Sequence, residues 1–393
     1  MQLKIVNAKI LTPAEIIDNG VVLVNHGKIM SIAATDNGES ADEVIDAEGK
    51  YLAPGFIDIH VHGGGGHDFM DNTVEAFLGI ANLHARFGTT AITPTTLSCE
   101  KEDLLKTLDT YAEAHKLNHN VAQFIGMHIE GPYFSMEQRG AQDARFIRKP
   151  DPQEYKEIID RYNYVKRWSA APELDGAIEF GRYLVEHNIL AAIAHTDGID
   201  EDVFAAFDAG YSHATHFYSG MSTVSRRNAF RYAGVVEATY LLDDMTVEII
   251  ADGKHLPASL LKLIYKIKGP EKIALITDAM RAAGMPEGPS VLGSYKNGQE
   301  VIVEDGVAKM PDRTAFAGSV ATADMLVRNM VNMAGVPLIE AVKMATAVPA
   351  KIMKAHTKGE LVPGKDADIV LFDDDINISR TIIGGRVVFS AGN

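Results

Sequence analysis

Two histidines set two residues apart, His60 and His62, close the apolar run Phe56-Ile57-Asp58-Ile59. In a strand, residues i and i+2 share a face, so both imidazoles aim at one point where the chain gives out into Gly63 to Gly66. Two neutral imidazoles side by side suit a divalent metal. Taken alone, a motif this short more often marks a hydrogen-bonded polar pair, so the metal reading stands or falls on further ligands.

Further ligands follow, each at the end of another strand-like run. The run from Val121 to Ile129 ends in Glu130-Gly131-Pro132, Ile189 to Ala194 ends in His195-Thr196-Asp197, and Ser212 to Thr215 ends in His216. Lys272 to Thr277 ends in Asp278-Ala279. Histidine, glutamate or aspartate at five separate strand ends is the pattern of a catalytic rim rather than of scattered structural polar residues.

Three more strand candidates complete the frame: Thr89 to Thr95 second, Val165 to Ala171 fourth and Thr246 to Asp252 seventh. Between and after the strands, apolar residues recur at helical spacing over Thr73 to Phe87, Lys101 to Leu117, Pro152 to Tyr162, Asp175 to His187, Glu201 to Ala209 and Pro257 to Ile267, with Ala321 to Met333 and Leu338 to Met353 closing the set. Eight such β-α units predict an α/β fold, a TIM-type (β/α)8 barrel. The ligands then fall on strands one, three, five, six and eight, at the C-terminal rim where this fold places its active sites.

The chain ends read differently. Residues 1–50 alternate β-branched runs such as Val21-Val22-Leu23-Val24 with turn pairs Asn19-Gly20, His26-Gly27 and Asn37-Gly38, and the tail repeats the pattern around Gly384-Gly385. The expected organisation is a small β-sandwich-like domain built from both termini, residues 1–53 plus 358–393, beside a metal-dependent catalytic barrel over residues 54–357. A chain of 393 residues, 46% hydrophobic, can bury both cores. The absence of a long apolar stretch or signal peptide predicts no membrane partner and a cytoplasmic location. A net charge of -16 argues against nucleic acid, and a single cysteine, Cys99, excludes a disulfide framework and a cysteine metal site.

The run Ala53-Pro54-Gly55-Phe56-Ile57-Asp58-Ile59-His60-Val61-His62, followed by His128-Ile129-Glu130-Gly131-Pro132, Ala194-His195-Thr196, Thr215-His216, Ala251-Asp252-Gly253-Lys254-His255 and Thr277-Asp278-Ala279, resembles the N-acetylglucosamine-6-phosphate deacetylase family of the amidohydrolase superfamily. The tail from Leu361 to Val370 is similar to that superfamily's closing β-domain, and the resemblance runs from about Met1 to Val388. It implies hydrolysis of the acetamide of a phosphorylated amino sugar in a homodimeric enzyme.

The chemistry is consistent with the residues themselves. An amide resists water, so an enzyme must supply a nucleophile at neutral pH, polarise the carbonyl and protonate the departing amine. Glu130, His195 and His216 form a ligand set with room for a water, and His60 with His62 can hold a second ion bridged by Glu130, giving one or two divalent metals per chain, zinc first, with iron or manganese as alternatives. Strand four offers no bridging lysine in its place, since Lys166 sits at the beginning of its strand. Asp278 is the expected general base and then acid. The resemblance assigns His255 to orienting and polarising the carbonyl, and Phe316-Ala317-Gly318 to a lid over the sugar.

Departures from the family pattern fall on substrate recognition. The family's N-A-M after the threonine-histidine pair is replaced by Ser219-Gly220-Met221, and its K-G-A-H by Arg139-Gly140-Ala141-Gln142, which puts Gln142 where a substrate-facing histidine often stands. The phosphate-binding arginine falls on Arg227 by distance from His216, or on Arg231 by matching R-E-P-G to Arg231-Tyr232-Ala233-Gly234. The expected function is deacetylation of N-acetylglucosamine 6-phosphate. The alternatives are the same reaction on an epimer such as N-acetylgalactosamine 6-phosphate, another amide, or a barrel without catalysis that serves as a binding scaffold.

Overall fold

The computed structural model describes residues 2–392, and of Arg227 the backbone only. Eight strands alternate with helices and pair in parallel: Phe56–Val61, Thr89–Pro94, Met127–Glu130, Val165–Ala170, Leu190–Ile193, His213–Ala214, Thr246–Ile249 and Ile273–Leu275. Hydrogen bonds join the arc of the first two strands to the arc of the other six at both seams. Thr96 N–H donates to His128 O at 3.1 Å between the second and third strands, and Asp278 N–H donates to His60 O at 2.9 Å between the eighth and first. Parallel strands curving round one interior, with helices outside, are what a TIM-type barrel requires.

The strands carry apolar residues on both faces because helices cover one and the interior fills the other. Trp168, Phe180, Tyr133 and Tyr155 pack together between strand and helix, all buried, while Ile57, Ile59, Ile250 and Ile276 pack in a second cluster with Val348 and Ala350. Polar positions in the interior are therefore exceptions, and they collect at the C-terminal rim and just beneath it.

Strands from both chain ends share one eight-stranded sheet, in the order Arg386–Ser390, Ile378–Ile383, Ile369–Phe372, Tyr51–Pro54, Gln2–Leu11, Ile16–Asn25 and Lys28–Ala33, with Glu43–Asp46 pairing beside Gln2–Leu11. Its own core holds Leu3, Ile5, Ile10, Val22, Leu52, Ile369 and Leu371.

Most expected helices lie within two or three residues of their predicted bounds, and three regions differ. The predicted Leu338 to Met353 helix is two, Leu338–Ala345 and Ala347–Ile352, because Pro349 has no N–H to continue the ladder across Thr346. The seven-residue helix Val235–Leu241, after the sixth strand, is too short to show a period in the sequence. After the eighth strand, a three-stranded antiparallel sheet, Gly288–Leu292, Gln299–Glu304 and Val307–Lys309, leans over the rim and brings Leu292 to the cavity that opens there.

Candidate active site

A cavity of about 270 Å³ opens at the C-terminal rim, walled by His62, Glu130, His195, His216, His255 and Asp278 and flanked by Ser219, Gly220, Gln142, Phe316 and Gly318. The strand ends turn sharply as they deliver these groups. His195, His216 and Asp278 take left-handed backbone conformations, with φ of 46°, 28° and 48°, which non-glycine residues adopt only where surrounding structure holds them. The strain swings each side chain off its strand and into the centre.

The donor atoms converge in two overlapping groups, Glu130 with His195 and His216, and Glu130 with His60 and His62. His216 Nε2 lies 3.0 Å from Glu130 Oε1 and 3.2 Å from His195 Nε2. His60 Nε2 and His62 Nε2 stand 3.2 Å apart, and His62 Nε2 is 3.3 Å from Glu130 Oε2. The far ring nitrogens fix the tautomers. Nδ1 of His195 donates to Gln138 O at 2.8 Å, Nδ1 of His216 donates to Ser219 O at 3.1 Å, and Nδ1 of His60 faces Glu248 Oε1 at 2.6 Å. A carbonyl can only accept, so the Nδ1 atoms of His195 and His216 carry the protons and their Nε2 lone pairs point at each other and at a carboxylate. Electron pairs brought face to face in a buried site fit a divalent cation, and the imidazole and carboxylate donors suit zinc, iron or manganese alike.

The electrostatics agree. Burial pushes the Glu130 carboxyl up, but the imidazoles around it, His60 first, outweigh this and hold it well below the usual carboxylate range. Asp278 is held below its ordinary value against burial by His60 and then His62. Burial alone would lower His60, yet Glu248, Glu130 and Asp278 together push it up to about 9. The cluster attracts positive charge, as a metal site must.

His128 stands outside the ligand set, although it shares a strand end with Glu130. Its nitrogens are taken by Thr95 Oγ1 at 3.2 Å and Ser169 Oγ at 2.7 Å, and burial, then Arg167, push it well below the usual histidine value. His255 faces the cavity with Nδ1 2.8 Å from Asp252 Oδ2, and its ring packs on Phe316 at 4.8 Å between centroids.

Three expected substrate contacts sit differently from the sequence pattern. Gln142 lines the cavity, but its amide is already engaged at both ends. Nε2 donates to Glu130 Oε2 at 2.9 Å and Oε1 accepts from Ser98 N–H at 2.9 Å, so it braces the carboxylate. Ala317 is fully buried in the apolar cluster of Met280, Leu292 and Val301, so of the lid segment only Phe316 and Gly318 line the cavity. Arg231 is exposed on the hairpin Ser225–Arg227 with Phe230–Tyr232 and does not line the cavity; the Arg227 side chain lies outside the described residues.

Residues the strand-end pattern passes over lie just below the rim. Arg167 and Glu248, both with 0% exposure, form an ion pair inside the barrel. A charged residue in the middle of a strand-like run is the signal that could have found them.

The Amidohydrolase family matches residues 51–388. N-acetylglucosamine-6-phosphate deacetylase of Lysinibacillus sphaericus is 33% identical over 95% of this chain and 94% of its own length. N-acetylgalactosamine-6-phosphate deacetylase of Escherichia coli is also 33% identical, over 88% of this chain and 89% of its own. A solved structure of mutant N-acetyl-D-glucosamine-6-phosphate deacetylase from Mycobacterium smegmatis, in complex with N-acetyl-D-glucosamine-6-phosphate, superposes with a TM-score of 0.90 at 30% identity, covering 99% of each chain. With the family matched across barrel and tail, and relatives spanning nearly its whole length, this chain belongs to the amidohydrolase family, in the branch of the N-acetylglucosamine-6-phosphate deacetylases.

Proposed function

We propose that the chain hydrolyses the acetamide of N-acetylglucosamine 6-phosphate, releasing acetate and glucosamine 6-phosphate. The observation that carries this is the convergence of Glu130, His195, His216 and Asp278 on one cavity, in a chain 33% identical to a deacetylase of that name over 95% of its length.

Glu130, His195 and His216 would hold one divalent ion, zinc first, and His60, His62 and Glu130 a second. Such an ion supplies a nucleophilic water at neutral pH and polarises the amide carbonyl. Asp278, kept ionised by its low pKa, accepts the proton of the attacking water and passes it to the departing nitrogen, which cannot leave as an anion. His255, its ring fixed by Asp252, orients the carbonyl from the cavity wall. Gln142 keeps Glu130 Oε2 in place. Ser219 and Gly220, with Phe316 and Gly318, enclose the sugar.

Among the described residues no helix is long and apolar enough to cross a membrane. The proposed setting is a cytoplasmic homodimer, with residues 1–53 and 358–393 as the small domain beside the barrel of residues 54–357. The exposed hairpin supports a partner at this rim. Phe230 is 72% exposed, and Arg226 and Arg231 oppose each other across its strands, an unfavourable pairing unless an anion or a neighbour engages it.

A second reading keeps the chemistry and changes the sugar, because the N-acetylgalactosamine-6-phosphate deacetylase of Escherichia coli is equally similar. Kinetics of acetate release on the 6-phosphates of N-acetylglucosamine and N-acetylgalactosamine and on their unphosphorylated forms, with metal content measured on the same sample, tests both. No release from any of them would reject the deacetylase.

A further inference from the structure

The reaction as derived leaves the buried carboxylate of Glu248 without a role. Glu248, in the seventh barrel strand Thr246–Ile249, has 0% exposure and five donors around one carboxylate. Oε1 lies 2.6 Å from His60 Nδ1, 3.1 Å from the His216 backbone N–H and 2.9 Å from Arg167 Nη2. Oε2 lies 2.5 Å from Arg167 Nη1 and 3.2 Å from His213 Nε2. Arg167 reaches on to Thr215 Oγ1 at 2.7 Å and to Ile59 O at 3.3 Å, so the pair grips the residues just before His60 and His216 as well.

A buried ion pair is poor evidence of stabilisation, because its desolvation offsets most of its attraction and apolar residues of similar volume often serve as well. What a carboxylate does here that an apolar residue could not is hold a proton on Nδ1 of His60, turning the Nε2 lone pair toward His62 and the centre of the cluster. Carboxylates in this position fix the ring and raise its strength as a ligand. The same oxygen holds the backbone of His216, which belongs to the other group of ligands.

We infer that Glu248, neutralised by Arg167, is a positioning residue that sets the tautomer and aim of His60 and ties the two ligand groups together from beneath. The inference rests on the reading that His60 and His62 hold an ion of their own.

The test is cobalt binding to the whole protein, followed by competition with a chromophoric chelator and by the visible spectrum of each bound ion. Two ions are expected in the wild type. Glu248→Gln keeps the volume and removes the charge. It is expected to weaken the ion at His60 and His62 by about 10- to 100-fold, to change its cobalt spectrum, and to leave the Glu130, His195 and His216 ion the tighter of the two. In a His60→Ala background the substitution should add no further loss, which a merely structural role would not reproduce. Should Glu248→Gln not fold because Arg167 is left uncompensated, Arg167→Gln with Glu248→Gln removes both charges and carries the same expectation. Two ions with wild-type affinity and spectrum in the variant would overturn the inference alone. A single ion in the wild type would overturn the two-ion reading and this inference with it.

Discussion

Oδ1 of Asp278 lies 3.1 Å from Nε2 of His62 and 3.5 Å from Nε2 of His60, although 216 residues separate Asp278 from His62 along the chain. The contact joins the eighth barrel strand to the first across the seam where the barrel closes. A proton carrier is thereby set beside the imidazoles that would hold an ion, so one carboxylate can take a proton at the metal and return it at the leaving nitrogen.

Asp278→Asn keeps this shape but cannot accept a proton. Turnover should fall by about two to four orders of magnitude, the range for a positioned acid-base group, while substrate binding survives. Steady-state kinetics with a binding measurement on the variant would settle it; near-normal turnover would leave Asp278 a structural role only.

Metal removal should abolish activity, and zinc should restore it. His195→Ala is expected to abolish turnover. His60→Ala should only reduce it, since one ion suffices to activate water. Elemental analysis finding no metal, together with activity indifferent to chelators, would sink the metal-dependent reading.

How far the sequence reveals this site follows from what period and position can encode. The H-x-H of His60 and His62, and the acids and histidines closing other strand-like runs, are legible because a barrel collects strand ends at one rim. Contacts below the rim are not, because no spacing rule pairs Arg167 with Glu248 or turns Gln142 toward Glu130; those depend on the barrel's three-dimensional register. The sheet over Gly288–Leu292 and Gln299–Glu304 is a different case. Asn297-Gly298 and Asp305-Gly306 are hairpin turn pairs between β-branched runs, the same signal that marks the N-terminal strands, so this sheet is legible in the sequence although it interrupts the β-α alternation.

Cys99 should be inert to alkylation. Desolvation first, and then the nearby Asp103, pushes its half-buried thiol above the ordinary thiol range, up to about 12, so at neutral pH the thiolate fraction falls by about three orders of magnitude. Because the thiolate is the reacting form, labelling by iodoacetamide in the folded protein should accelerate with pH up to about 12, whereas in denaturant it should level off near the ordinary value. Equal labelling rates in folded and unfolded protein at neutral pH would contradict the raised thiol pKa.

Gly220→Ala tests the packing around His195. Gly220 has φ +59°, and a Cβ there would lie 2.9 Å from His195 Nδ1 and 3.0 Å from Gln138 O, the two atoms whose hydrogen bond sets the ring. The left-handed backbone costs an alanine about 1 to 2 kcal/mol, and the methyl wedges into the bond itself. The variant should unfold at lower temperature and bind metal more weakly, by about 10-fold or more, as expected for losing a hydrogen bond to a ligating histidine. Wild-type melting and metal affinity would show that the loop simply shifts.

The weakest determinant is the phosphate, and the hairpin decides how to test it. Arg231 is exposed and away from its own cavity, opposite Arg226 across the strands, so an arginine that serves the site is expected to reach a neighbour's. Truncating Arg227 or Arg231, whichever grips the phosphate, should raise KM for the 6-phosphate sugar and leave the unphosphorylated sugar, already poor, nearly unchanged. A charge-assisted bidentate contact contributes roughly 1.5 to 3 kcal/mol, or about ten- to more than a hundredfold in binding. Mixing chains that lack the arginine with chains that carry His195→Ala then separates two arrangements. In a mixed dimer with shared sites, the chain lacking its own arginine keeps intact metal ligands and borrows the partner's arginine, so activity returns. With unshared sites every active site remains damaged and activity stays low. Should both truncations weaken phosphorylated and unphosphorylated sugars by the same factor, the cluster is not a phosphate site, and the altered Ser219-Gly220 segment would then point to a different amide substrate.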